Sequence, residues 1–210
     1  MPKLKDFGLY FITDSKITKK TVIDDVKSAI KGGVKIIQYR EKEAPLKQMI
    51  EEAKEIKNLC QKNNVVFIVN DRIDIAVASD ADGVHLGQND ERCETARKIL
   101  GKNKIIGLTA HNVKESIEAE KLGADYIGLS PIFSTGTKAD AGKPCGTEMI
   151  SRVKKYVKIP IVAIGGINES NIGEVLKAGA KNTAIISAIL TKDDVGKAVG
   201  DFQSIIDSHK

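Results

Sequence analysis

Short runs of β-branched residues alternate with longer amphipathic segments from one end of the chain to the other. The pattern predicts eight strands, at residues 9–13, 34–40, 66–70, 83–86, 105–109, 126–129, 161–164 and 183–186. Between the strands apolar residues recur every three or four positions, as in segment 46–63, which is typical of a helix with one buried face. The strands are rich in Val, Ile and Leu, which favours a parallel sheet covered on both faces.

Eight such units fit a (β/α)8 TIM barrel, of class α/β, better than the open doubly wound sheet that remains as an alternative. The chain has 210 residues and no linker-like tract, so we expect one domain over residues 1–210. Glycines at Gly32-Gly33, Gly83, Gly123 and Gly179 precede or begin strands, where they permit a tight turn out of the preceding helix. In either fold, ligands bind at the carboxyl ends of the strands.

The composition restricts the kinds of partner. A net charge of +5 suits anionic small molecules, but the basic residues are scattered and aromatic residues make up only 4%, so nucleic-acid binding is not expected. The N-terminal region has no apolar stretch long enough for a signal peptide or a membrane span, which predicts a cytoplasmic protein without membrane association. The three cysteines are widely spaced and are interpreted as free thiols.

Cationic and amide side chains follow the second predicted strand. Gln38, Arg40 and Lys42 alternate with other residues, so they point to the same side of an extended chain. Arg can bind phosphate oxygens through two hydrogen bonds, and Lys supplies a mobile positive charge. A solvated charge cluster is the alternative, but the position at a strand end favours phosphate binding.

A carboxylate follows each of the next two predicted strands, Asp71 after the third and Asp90 after the fourth. Two carboxylates together with phosphate oxygens and waters form a typical Mg²⁺ site. The alternative for Asp90 is an N-cap for a helix beginning at Glu91. The pairing with Asp71 favours the metal site.

Hydroxyl and imidazole groups near the strand ends give weaker signals. Thr109 places a hydroxyl at the end of the fifth strand, although threonine is also a common strand residue. His85 and His111 have no evident partner carboxylate, so we assign neither a catalytic role.

Phosphate-binding features follow the last three strands. The long polar loop 130–144 contains Thr135, Thr137 and Lys138, a set suited to phosphate, and it could order over a ligand; a plain surface loop is the alternative. Gly165-Gly166 and residues 185–188 follow strands seven and eight, which frequently form a phosphate site in TIM barrels. The pattern predicts electrostatic stabilisation of a leaving pyrophosphate, with no strand-interior lysine for covalent catalysis.

Several motifs, in this order, resemble those of the thiamine-phosphate synthase family over residues 8–190. They are the segments 38–42, 70–71, 85–90, 131–138, 165–167 and 186–189, reading QYREK, ND, HLGQND, PIFSTGTK, GGI and ISAI. The resemblance implies a pyrimidine diphosphate site formed by Gln38, Tyr39, Arg40, Glu41, Lys42, Asn70, Thr109 and Lys138. It further implies Mg²⁺ ligands at Asp71 and Asp90, and a thiazole phosphate site at Thr135, Gly136, Thr137, Gly166, Ile186 and Ser187.

The resemblance also implies the reaction. Hydroxymethylpyrimidine diphosphate loses pyrophosphate with the help of Mg²⁺, and the thiazole nitrogen of the second phosphorylated substrate captures the resulting cation; Arg40, Lys42, Thr109 and Lys138 are the implied catalytic residues. Such proteins are often homo-oligomers. This chain departs from the family pattern at Tyr39, at Thr109 and at 181–183, where Leu, Ser and an Asp-Gly-Val type of sequence are commoner.

Three alternatives remain at this point. A thiazole tautomerase shares the barrel and the thiazole phosphate site but should lack the Thr-x-Thr-Lys loop and the paired carboxylates. A phosphosugar isomerase or aldolase shares only the generic phosphate features after strands seven and eight. A non-catalytic ligand sensor on the same fold is disfavoured by the intact cationic and metal-ligand residues.

Overall fold

The computed structural model describes residues 4–137 and 142–209, and its strands form a closed parallel barrel. Each strand pairs with its neighbours in chain order, and the first pairs with the last to close the barrel. The strands are β1 (Gly8–Ile12), β2 (Ile36–Tyr39), β3 (Val66–Asn70), β4 (Gly83–Leu86), β5 (Ile105–Ala110), β6 (Tyr126–Leu129), β7 (Ile161–Ile164) and β8 (Asn182–Ile185). The predicted TIM barrel is therefore confirmed.

Helices cover the outside of the barrel. They are α1 (Val22–Lys31), α2 (Leu46–Lys62), α3 (Ile73–Ala78), α4 (Cys93–Leu100), α5 (Val113–Lys121), α6 (Glu148–Val153), α7 (Ile172–Lys177), α8 (Ser187–Leu190) and α9 (Val195–Asp207). A large apolar core fills the space between helices and strands, and a smaller one fills the barrel interior. Among the residues the structure describes, no helix is long and apolar enough to cross a membrane.

Four predicted strands, the third, fourth, sixth and seventh, have the observed bounds, while the second was predicted too long. Gly33 has a φ of 91°, and the Val34 N–H bonds to the Ala29 carbonyl at the end of α1, so β2 begins two residues later than predicted. At its other end the Arg40 N–H donates to the Thr13 side-chain oxygen at 3.0 Å. That side-chain hydrogen bond replaces a backbone ladder bond and ends the strand.

The glycine turns are confirmed at Gly33, Gly123 and Gly179, all of which have positive φ. Gly83 serves a different purpose, because the left-handed residue before β4 is Asp80. A Cβ atom on Gly83 would lie 2.1 Å from the Ile105 carbonyl oxygen, so this glycine permits close approach of β4 and β5.

Side-chain caps on backbone amides recur at the amino ends of alternate strands. The Asp82 carboxylate accepts from the Phe67 N–H at 2.9 Å, and the Asp125 carboxylate accepts from the Ile106 N–H at 2.8 Å. Asn182, at the segment that departs from the family pattern, accepts from the N–H groups of Phe7 and Gly8. The side-chain amide of Asn182 thus caps the start of β1.

Candidate active site

A pocket opens at the carboxyl ends of the strands, as the fold predicts. Most of the residues that we singled out from the sequence line it, namely Gln38, Arg40, Lys42, Asn70, Asp71, Thr109, Thr135, Thr137, Gly166, Ile186 and Ser187. They come from segments up to about 150 residues apart in the chain, and barrel closure brings them to one cavity. Lys138 lies outside the described residues.

The alternation predicted after β2 is confirmed. Gln38, Arg40 and Lys42 face the pocket, whereas the Tyr39 hydroxyl donates to the Glu52 carboxylate on α2 at 2.7 Å. The Glu41 carboxylate accepts from the backbone N–H groups of the three residues that follow it. The side chains of Tyr39 and Glu41 thus shape the strand end and its loop without lining the pocket.

Arg40 is held by a buried carboxylate. Its guanidinium forms an ion pair with Asp14, whose side chain is 4% exposed, while that of Arg40 is 15% exposed. The other Asp14 oxygen accepts from the Lys16 N–H at 3.0 Å. Asp14 lies two residues after β1 and was not predicted, although its position at a strand end is a signal that the sequence carries.

The two predicted metal ligands lie next to each other. The Asp71 N–H donates to the His85 carbonyl at 2.8 Å, and its φ of 61° turns this residue out of β3 toward β4. The Asp90 carboxylate accepts from the Gly87 N–H at 2.7 Å. Burial, together with the hydrogen-bonded Asp71 carboxyl, raises the pKa of Asp90.

This arrangement fits a divalent cation, since two neighbouring carboxylates in a partly buried site repel each other until a positive charge joins them. Lys42 supplies part of that charge through an ion pair with Asp71. Within residues 4–137 and 142–209 no cluster of three or more His, Cys, Asp or Glu ligands is present. A divalent cation held by Asp71 and Asp90 would therefore need further oxygen ligands from a substrate or from water.

The N-cap alternative for Asp90 is wrong. Helix α4 begins at Cys93, with Arg92 at its N-cap position, and Asp90 hydrogen-bonds backward to Gly87. Asp90 does not appear among the residues that line the pocket. It reaches the site through its contact with Asp71.

The opposite side of the pocket is formed by close backbone packing. Gly165 and Gly166 have φ values of 102° and 66°, and a Cβ on Gly166 would lie 2.4 Å from the Ser134 carbonyl oxygen. The loop after β6 thus packs directly on the loop after β7. Gly166 and Ser187 line the same wall as Thr135, which accepts from the Thr137 N–H at 3.3 Å. Gly136 itself is not a lining residue.

The floor of the pocket carries a hydrogen-bonded chain of side chains. The Gln38 amide donates to the Tyr10 hydroxyl at 3.0 Å, and the Tyr10 and Tyr126 hydroxyls are 2.9 Å apart. The Tyr126 hydroxyl lies 3.0 Å from His85 Nδ1, and His85 Nε2 lies 3.0 Å from the Thr109 hydroxyl oxygen. Sequence reasoning had left His85 without a site role, because the hydroxyl groups of Tyr126 and Thr109, which it contacts here, come from other strands.

Comparisons with known proteins identify the family of this chain. A family model described as thiamine monophosphate synthase matches residues 9–189. The thiamine-phosphate synthase of Methanosarcina mazei is 53% identical over 97% of this chain and 84% of its own, and that of Methanosarcina barkeri is 49% identical over 97% and 92%. A solved thiamine phosphate pyrophosphorylase from Pyrococcus furiosus has a TM-score of 0.90 and 40% identity over 97% of each chain. The chain therefore belongs to the thiamine monophosphate synthase family.

Proposed function

We propose that this chain joins hydroxymethylpyrimidine diphosphate to a thiazole phosphate, giving thiamine phosphate and pyrophosphate. The observation that carries the proposal is one pocket whose walls combine a cationic and acidic side, from β2 to β4, with a glycine-lined side, from β6 to β8. A single phosphate would need only one of these sides. Two phosphorylated substrates account for both.

The cationic side holds the diphosphate. Arg40 enters the pocket from a nearly buried ion pair with Asp14, which fixes the direction of its guanidinium. Lys42 lies closer to the mouth, with a side chain 42% exposed, and can move between Asp71 and a phosphate oxygen. Both positive charges favour a leaving pyrophosphate over the bound ester, because negative charge accumulates on the leaving group.

Mg²⁺ is the cofactor that this side suits. Asp71 and Asp90 would hold the ion, which supplies neutralisation of the pyrophosphate charge when bound. The Asp71 backbone is anchored by its N–H bond to the His85 carbonyl on β4, and the Asp90 carboxylate accepts from the Gly87 N–H just after β4. That anchoring keeps the acidic pair in place against its own repulsion.

The glycine-lined side holds the thiazole phosphate. Gly166 allows the loop after β6 to pack directly against the loop after β7, and Thr135 and Ser187 supply hydroxyl groups to the pocket. Lys138 follows Thr137 in the chain and is proposed to bind the diphosphate across the pocket. The reaction needs no protein nucleophile, because the thiazole nitrogen attacks the pyrimidine carbon after pyrophosphate departs.

The tautomerase alternative should lack the paired carboxylates, whereas Asp71 and Asp90 are in contact here. The relatives reported above are synthases or pyrophosphorylases over nearly the whole chain. Cytoplasmic location and homo-oligomerisation remain predictions.

The test is to supply purified protein with both phosphorylated substrates and to titrate Mg²⁺ while measuring thiamine phosphate and pyrophosphate. We expect the two products in equal amounts and a rate that depends on Mg²⁺. Asp71→Asn should raise the Mg²⁺ concentration needed for half-maximal rate by about tenfold or more, since loss of one of two charged ligands weakens the ion's binding.

Asp74→Asn is the matched control. Asp74 lies three residues further along the chain and forms an ion pair with Arg72, in which the side chains are 53% and 41% exposed. This variant should behave as wild type. Folded wild-type protein that makes no thiamine phosphate would reject the proposed reaction, and an unchanged Mg²⁺ curve for Asp71→Asn would reject the metal ligand alone.

A further inference from the structure

The hydrogen-bonded side chains on the pocket floor form one row with a donor at its start. It begins at Gln38, whose amide N–H donates to the Tyr10 hydroxyl oxygen. Burial raises the pKa of Tyr10 and the pKa of Tyr126 well above the usual range of a tyrosine, so each phenol keeps its proton. Each hydroxyl therefore has one hydrogen to donate.

The proton positions follow link by link. The Tyr10 oxygen accepts from Gln38, and the acceptor within reach of its own hydrogen is the Tyr126 oxygen at 2.9 Å. The Tyr126 hydrogen then goes to His85 Nδ1 at 3.0 Å, which must be unprotonated to accept it. The His85 proton lies on Nε2 and is donated to the Thr109 hydroxyl oxygen at 3.0 Å.

We propose that Tyr10 and Tyr126 are positioning residues that hold Thr109 as a hydrogen-bond donor to the pyrophosphate leaving group. The Thr109 oxygen accepts from His85, so its own hydrogen is turned toward the pocket that Thr109 lines. In this arrangement His85 is a donor to Thr109 and cannot take its proton. Thr109 therefore acts as a donor to departing oxygens rather than as an activated nucleophile.

The reverse direction is disfavoured by the surroundings. If Thr109 donated to His85 and His85 to Tyr126, the Tyr10 oxygen would accept from both Gln38 and Tyr126. The Tyr10 hydroxyl hydrogen would then have no acceptor among these hydrogen-bonded side chains, and Tyr10 is only 1% exposed to water. A buried polar hydrogen without a partner is unfavourable. The Gln38 amide therefore sets the direction of every hydrogen bond from Tyr10 to Thr109.

Two glycines in the barrel strands lie against the rings of Tyr126 and His85. A Cβ atom on Gly107 would lie 2.1 Å from Tyr126 Cζ, and one on Gly128 would lie 2.8 Å from His85 Cε1. The His85 and Tyr126 rings stack with centroids 5.4 Å apart. Two strand glycines thus make room for the His85 and Tyr126 rings, which continue the hydrogen bonds from the barrel interior to the pocket.

The first measurement reads the tautomer without any turnover. Protein labelled with ¹⁵N at its three histidines is examined by long-range ¹H–¹⁵N correlation, with assignment by a His85→Gln variant. We expect wild-type His85 to be the neutral Nε2–H tautomer, and Tyr126→Phe to lose this single form. An Nδ1–H tautomer in the wild type would overturn the proposal.

The second measurement is a double-mutant cycle on the proposed synthase reaction, on which this inference rests. Tyr126→Phe and Thr109→Val should each lower kcat about tenfold, the effect of one lost hydrogen bond to a charged group. The KM for the thiazole phosphate should stay unchanged, and Thr109→Ser should keep most of the activity. On the Thr109→Val background, Tyr126→Phe should have no further effect, because its influence passes through that hydroxyl.

If the losses in kcat from Tyr126→Phe and Thr109→Val were additive, the proposal would be overturned. Tyr126 would then be a packing residue only. Tyr10→Phe interrupts the same chain one link earlier and should reproduce the Tyr126→Phe result, which covers the case in which one variant folds poorly. Thr183→Val is the control, since it removes from β8 a fully buried hydroxyl that has no hydrogen-bond partner among the residues the structure describes and lies outside the pocket. If wild-type protein makes no product, the reaction is rejected, but the tautomer measurement still decides the hydrogen-bond direction.

Discussion

Asp14→Asn tests how Arg40 is held. The substitution keeps the oxygen that accepts from the Lys16 N–H and replaces the oxygen that faces Arg40 by an amide N–H group. Two donors then face each other, and the Arg40 charge loses its counter-ion in a site where Asp14 is 4% exposed. Both the stability of the fold and the direction of the guanidinium depend on this contact.

The expected loss of stability follows from the burial of the pair. Breaking a fully buried ion pair by removing one charge costs about 3–5 kcal/mol. Arg40 keeps 15% exposure at the pocket, so water can partly solvate its charge, and we expect a loss of about 2 kcal/mol. For a domain of this size that corresponds to a fall in Tm of roughly 5 °C. The kcat/KM for the pyrimidine diphosphate should fall about tenfold, because the cation is no longer oriented.

Thermal unfolding and steady-state kinetics on the same preparation check both effects. Asp193→Asn removes a carboxylate from an exposed ion pair with Lys19 and should change neither quantity measurably. Wild-type kinetics in a destabilised Asp14→Asn protein would show that the ion pair serves folding only. Unchanged stability would refute the reasoning, since it would mean that the Arg40 charge is satisfied elsewhere.

Three further predictions follow from other parts of the structure. Gly166→Ala should raise the KM for the thiazole phosphate at least about tenfold and that for the diphosphate little, because the added Cβ lies 2.4 Å from a carbonyl oxygen; substrate-dependence kinetics would separate the two. Burial raises the pKa of Asp25, so the folded protein binds that proton more tightly than the unfolded chain, and the charged form destabilises the fold above that pKa. Asp25→Asn should therefore raise Tm at pH 7 and have little effect below about pH 3, where both states are largely protonated; an equal Tm difference at both pH values would contradict this. Burial raises the pKa of the Cys60 thiol to about 12, so in a timed thiol-labelling assay the half-buried Cys145 should react first and Cys60 only on unfolding.

The fold and most of the pocket could be predicted because the information is local. The spacing of apolar residues within one segment is enough to predict a strand or a helix. Closure of the barrel then places the carboxyl end of every strand at the same mouth. For this reason Arg40, Asp71 and Thr109 could be assigned to one pocket from sequence alone. The same alternation correctly placed the Tyr39 side chain away from that pocket.

The pocket floor could not be predicted, because it depends on contacts across the barrel. Tyr10 and Tyr126 are 116 residues apart in sequence, and only the register of the closed sheet brings their hydroxyls together. His85 gave no signal because the hydroxyl groups that it contacts, those of Tyr126 and Thr109, come from other strands. A search for carboxylate–histidine pairs overlooks such a histidine.

Two strand glycines link the local strand pattern to the contacts across the barrel. Glycine within a strand weakens it, yet Gly107 and Gly128 lie inside β5 and β6, where a side chain would collide with Tyr126 and with His85. The destabilisation is tolerated because the two rings fill the interior that the missing side chains leave, and their polar atoms satisfy one another. The barrel interior thus supports the pocket through packing as well as hydrogen bonds, so that enlarging either glycine should disturb the tautomer of His85 as well as the fold.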